Sequence, residues 1–232
     1  MGIDRSWSRV LGSFGLLGGL VMFAGDMLFY FDASSVDLNL NMGNASDTRI
    51  IIAGVTALLG TWLYVIGVAQ VFYAFRPATD LARNTVVACF TGILIAYGIV
   101  HGAYIAIATT AKLSVEYQFD MDAATSLAVN ANETLRVFIY PLFAVLSVVF
   151  IIQVWRRNTL YPRWVILFFP LVPFLFQGLV GRILSGVAWV IVLGGFFNLL
   201  LVIFFAASTV ALWNADDGPA DTRRRVVTGQ TS

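Results

Sequence analysis

Charge is what this chain has least of. Only 12% of its 232 residues are Asp, Glu, Lys or Arg, about half the share of an ordinary soluble domain. The net charge is +1, so nothing in the balance favours nucleic acid as a partner. Cysteine is almost absent. Cys89 stands alone, which excludes an intramolecular disulfide. His101 is the single histidine, leaving too few ligands for a zinc site of the usual kind, so neither a metal nor a cofactor is expected. Phosphate-binding glycine loops and the Gly-x-Ser-x-Gly elbow are also missing.

Apolar residues make up 59% of the chain, and they fall into six long runs near 10–31, 50–75, 85–110, 136–155, 164–183 and 187–213. Runs of that length predict membrane-spanning helices. The expected fold is all-α: a polytopic membrane bundle of six transmembrane helices forming one domain over 1–213, with a disordered cytoplasmic tail over 214–232. The two arginines ahead of the first run suggest a signal peptide, but the run is too long and lacks a cleavage site, so it reads as a retained helix. Arg5, Arg9, Arg76, Arg83, Arg156, Arg157, Arg163 and Arg223 to Arg225 fall on one side of the runs; Arg49, Lys112, Arg136 and Arg182 fall on the other. That bias places both termini in the cytoplasm and the chain in the plasma (inner) membrane, with the bilayer as a partner. The longer connections, 32–49 and 111–135, are then external. They carry the triplets Asn44-Ala45-Ser46 and Asn132-Glu133-Thr134, glycan acceptors only in a host that glycosylates. Gly15, Gly18, Gly19, Gly60, Gly194 and Gly195 suit close helix packing.

Asp26 is the costly residue. It lies deep in the first run, where a carboxylate is a functional-site hypothesis by default. It stands 17 positions beyond Arg9, about 25 Å at ~1.5 Å per residue. His101, Tyr140 and Arg182 reach a similar depth by the same count from Arg83, Arg156 and Arg163. Asp26 and Tyr30 share a helical face, as do Tyr97, His101 and Tyr104. Glu133, Arg136 and Tyr140 share another. Gln177 follows Pro170 and Pro173, where freed carbonyls line a cavity. Asn198 falls near the middle of the last run, below the others, and Trp62 and Tyr64 near the middle of the second. The expected site is an outward-placed polar pocket: Asp26 and His101 catalytic, with Tyr30, Trp62, Tyr97, Tyr104, Arg136, Tyr140, Gln177, Arg182 and Asn198 binding substrate. Each also has a structural reading, as an interhelical hydrogen bond, a snorkelling arginine or an interfacial aromatic.

An acid beside an imidazole in a water-poor site is a general acid–base pair, and aromatic faces attract cations. Gly25-Asp26 with Tyr30, together with size and hydropathy, resembles small bacterial integral-membrane terpene cyclases and six-helix bacterial membrane proteins carrying Gly-Asp in their first helix. The resemblance implies a metal-free lyase or isomerase that cyclises an isoprenoid-like substrate by protonation. Fungal-type cyclases have seven helices and two intramembrane acids; here there are six runs and one such acid, with Glu133 at the rim. The alternatives are a small-solute, proton or ion transporter or channel subunit, and a non-enzymatic lipid-binding protein. Assembly into an oligomer stays open.

Overall fold

Ser46, Thr79 and Asp120 each begin a long helix in the same way, with the side-chain oxygen accepting from the backbone N–H three residues on, which satisfies one of the orphan donors at a helix start. The computed structural model describes residues 5–213; Arg223 to Arg225 and the tail expected over 214–232 lie outside the described residues. The elements are α1 (Arg5–Tyr30), α2 (Leu38–Gly43), α3 (Asp47–Ala74), α4 (Asp80–Tyr117), α5 (Met121–Val137), α6 (Tyr140–Trp155), a 3-10 helix (Arg163–Phe168), α7 (Leu171–Phe174), α8 (Gln177–Ile183), α9 (Gly186–Gly194) and α10 (Phe196–Leu212). Every element among the described residues is helical.

Four helices are long and apolar enough to cross a membrane: Ser6–Tyr30, Asp47–Ala74, Asp80–Tyr117 and Met121–Trp155, the last running through α5 and α6. The pair α9–α10, bent by 63° at Gly195, brings the number to five if it counts as one span. Ile51, Val55, Leu58, Trp62 and Ile66 of α3 are exposed at helical spacing, an outward apolar stripe of the kind that lipid covers.

Two expectations are corrected. The run over 164–183 is no single helix. Pro170 and Pro173 lack the amide hydrogens that a continuous helix needs, and the chain proceeds as a 3-10 helix and two short α-helices instead. The connection 111–135 is not a loop. It is the end of α4, a reversal at Gln118 in the left-handed region (φ 59°), and most of α5.

α1 is central, packing on α3 and α10, while α4 meets α3, α2, α5 and α6. Arg9 donates to the Trp213 carbonyl at 2.7 Å, so the start of α1 and the end of α10 lie at one end of the bundle. The Leu160 N–H donates to the Ala74 carbonyl, bringing the arginine-bearing turn 156–163 to the end of α3. Arg49 is at the other end, where its guanidinium caps α1 through the carbonyls of Met27, Leu28 and Phe31. There Lys112 pairs with Asp47 at 2.6 Å. Ser34 donates twice to Asp32; its hydroxyl first and its backbone N–H second hold that exposed carboxyl below its ordinary range. Away from Asp26 the core is aromatic, with Phe75, Phe90, Phe150, Phe169, Phe204 and Phe205 all fully or almost fully buried.

Candidate functional site

Asp26 sits one turn from the end of α1 and is 6% exposed. Its carboxylate is held from two helices. Oδ1 lies 3.0 Å from His101 Nδ1 on α4. Oδ2 accepts from Asn198 Nδ2 on α10 at 2.7 Å. Asn198 Oδ1 in turn accepts from the Tyr64 hydroxyl on α3 at 2.9 Å. One buried network thus joins four helices through four side chains.

Both ring nitrogens of His101 have partners. Nε2 lies 3.2 Å from the Ala53 carbonyl and 3.3 Å from Thr56 Oγ1. The Thr56 hydroxyl spends its own hydrogen on the Ala53 carbonyl. Nε2 is thus placed to donate to the Ala53 carbonyl. Nδ1 faces Asp26 Oδ1 across 3.0 Å. Nε2 faces the α3 backbone, and Asp26 and His101 both border an open space between the helices.

That space is a cavity of about 210 Å³. Asp26, His101, Tyr30, Tyr97, Tyr104, Arg136, Tyr140, Gln177 and Asn198 all line it, together with Phe174, Phe197 and the Gly194-Gly195 break. Tyr97 stacks on Phe197 with ring centroids 4.1 Å apart, and Tyr30 meets Tyr104 edge-on at 5.4 Å. Arg136 donates to the Tyr104 hydroxyl and lies 3.5 Å from Glu133; its Nε is buried without a partner. Among the described residues no group of three or more His, Cys, Asp or Glu side chains could hold a metal ion.

Nine expected residues therefore share one cavity, and two do not. Trp62 is 56% exposed on the lipid side of α3. Two residues along a helix rotate by about 200°, so it is Tyr64 that enters the network. Arg182 is exposed on α8 and does not line the cavity, because counting 1.5 Å per residue fails once the prolines break the segment. Asn198 also departs from expectation. It lies level with Asp26, since α10 starts only at Phe196. Tyr64 and Thr56 were missed as site residues; a buried-face reading of α3 through Ala53, Ala57, Gly60 and Gly67 was the signal for Tyr64.

A second buried network lies toward the other end. Tyr161 donates to Ser208 at 2.7 Å, Ser208 to Gln70 Oε1 at 2.7 Å, and Gln70 Nε2 to the Ser8 carbonyl and Thr209. Val68, Leu201, Phe204 and Phe205, all buried, occupy the stretches of α3 and α10 between the two networks.

Together these features define an all-helical, membrane-type bundle with a buried acid–imidazole pair lining a cavity that four tyrosines also border. Residues 4–215 match the family of unknown function DUF6796, and the chain belongs to that family. No curated protein and no solved structure matches the chain.

Proposed function

We propose that this protein is an integral-membrane enzyme that performs acid–base chemistry on a hydrophobic, isoprenoid-like substrate: a protonation-initiated cyclisation or isomerisation. The observation that carries the reading is the Asp26–His101 pair, 3.0 Å apart at the wall of a cavity that Tyr30, Tyr97, Tyr104 and Tyr140 also line. Transfer of a proton from the Asp26–His101 pair to an alkene carbon breaks the π bond, and transfer to an epoxide oxygen opens the C–O bond to a hydroxyl; either leaves a carbocation. The faces of Tyr30, Tyr97 and Tyr104 attract such a cation through their quadrupoles. Loss of a proton from a carbon next to the cation returns it to the pair, so the reaction balances without a co-reactant. Asn198, oriented by Tyr64, holds Oδ2 and thereby aims the carboxyl. Arg136 at the rim suits a polar or anionic head group.

The proposed membrane arrangement has six crossings, with both termini cytoplasmic in the plasma membrane. Arginine placement supports it, as does the meeting of Arg9 with Trp213 at one end. The fifth crossing would be the broken segment. It rises from Tyr161 beside Ser208 to Phe174, which stands against Phe143 as Phe197 does. A transport function has less support, since the buried apolar layer separates the two polar networks and a conducting path needs polar continuity.

The test is turnover of extracted prenyl substrates in D2O by the purified protein. Incorporation of one deuterium into an isomeric product is expected. Asp26→Asn, which keeps the Asn198 contact, should lower turnover about 100-fold or more. Equal turnover by Asp26→Asn and the parent would rule out the acid role.

A further inference from the structure

A second cavity of about 170 Å³ adjoins the first toward the external end, lined by Tyr30, Leu38, Met42, Tyr104, Val129 and Asn132 among others. Tyr30 and Tyr104 line both cavities, and their edge-on rings are what stands between the two. Asn39 and Glu133 also line the outer cavity and are partly or fully exposed, so it reaches the surface there. Asn132 is the unusual member. It is 1% exposed; its Nδ2 donates to the Val100 carbonyl at 2.8 Å, yet its Oδ1 is buried without any partner. A buried acceptor left unpaired is costly, so a donor from outside the chain has a reason to bind there. Neither cavity alone reaches the ~300 Å³ at which ligand pockets begin; joined, they do.

We propose that the outer cavity is the second half of the ligand site, receiving the hydrogen-bond-donating end of an amphipathic ligand on Asn132 Oδ1, while the Tyr30–Tyr104 pair sets the length of chain admitted to the inner half. The inference rests on reading the inner cavity as a ligand site, though not on the acid role of Asp26. The ligand class is a hydroxyl- or amine-terminated hydrocarbon. Leu38, Met42, Ile107 and Val129 flank its outer portion, and its reactive end meets Asp26 and His101. The same placement accounts for Asn132-Glu133-Thr134: an asparagine buried in α5 is no glycan acceptor in the folded chain.

The test is native mass spectrometry of the full chain in nanodiscs, titrated with geraniol, farnesol and geranylgeraniol and with their methyl ethers. The parent should bind the alcohols about tenfold more tightly than the ethers, the equivalent of one hydrogen bond, and affinity should drop at one step in chain length. Tyr104→Ala should move that step to a longer chain, with at least a tenfold gain for geranylgeraniol, while Tyr104→Phe, which keeps the ring, leaves it in place. Asn132→Leu should abolish the preference for alcohol over ether; if that variant does not fold, the alcohol-to-ether ratio of the parent decides the same point. Equal binding of alcohols and ethers, an unmoved step in Tyr104→Ala, or no binding of any probe overturns the proposal. If instead the step moves while Asp26→Asn retains turnover, the two-part site stands and the acid role falls.

Discussion

Gly25 explains why an aspartate at position 26 can reach a histidine on another helix. A Cβ there would stand 1.8 Å from Thr56 Oγ1 and 2.8 Å from His101 Nε2, so only glycine leaves room for the imidazole beside Thr56 and the Ala53 carbonyl. Gly25→Ala should therefore displace His101 and lower thermal stability in detergent by about 1–3 kcal/mol, the usual cost of overpacking; an unchanged melting temperature with full activity would contradict this. Asn198→Leu removes one side chain and leaves two groups unpaired, Asp26 Oδ2 and the Tyr64 hydroxyl. The expected loss is about 1–3 kcal/mol, read by denaturation of the purified protein, and Tyr64→Phe should cost less because it orphans only the Asn198 oxygen. Much of the candidate site was legible residue by residue, because depth counts along continuous helices put Asp26, His101 and Tyr140 at one level. What depth cannot supply is azimuth. Trp62 and Tyr64 share a level and face opposite ways, and only packing against α1 and α10 shows which one enters the network.

Among the elements, α1 and α3 form the tightest pair. A Cβ on Gly67 would lie 2.4 Å from the Gly15 Cα, backbone that cannot swing aside. Gly67→Leu should separate the two helices and lose stability by at least about 2 kcal/mol, whereas Gly178→Ala, with open space around its Cβ position, should be close to neutral; thermal melts of the two variants side by side check the contrast. The stretch from the 3-10 helix to Gly195 behaves differently. Its helices are short, two prolines remove donors, and Leu175, Phe176, Leu179 and Ile183 are largely exposed. Short helices with few buried contacts open locally at low cost. Amide hydrogen exchange over 171–185 should accordingly run at least about tenfold faster than in the centre of α3. This element was the least legible in advance: hydropathy reports that a run is apolar, and it is blind to whether proline leaves that run one helix or three.

For the molecule as a whole, the ends of the bundle are sorted by charge, and the proposed orientation can be tested directly. After Cys89→Ala, a cysteine at Ser126 on α5 should react with a membrane-impermeant maleimide on intact cells, and a cysteine at Asn158 only after lysis; the reverse pattern would invert the topology. Reconstituted vesicles should show no proton or solute flux, because buried Val68, Leu201, Phe204 and Phe205 lie between the two polar networks. The sequence by itself determined the class: sparse charge, long apolar runs and the arginine bias specify an all-helical chain suited to a bilayer, since partition between water and hydrocarbon depends on composition and length alone. It also pointed to Asp26, because a lone carboxylate in an apolar run costs energy in any fold. Tertiary structure decided the rest. It paired Oδ1 with His101 and Oδ2 with Asn198, excluded Trp62 and Arg182, and left Asn132 with an unmet acceptor. Those outcomes depend on how each helix is rotated and where prolines and Gly195 interrupt it, and rotation is set by the packing of one helix against another.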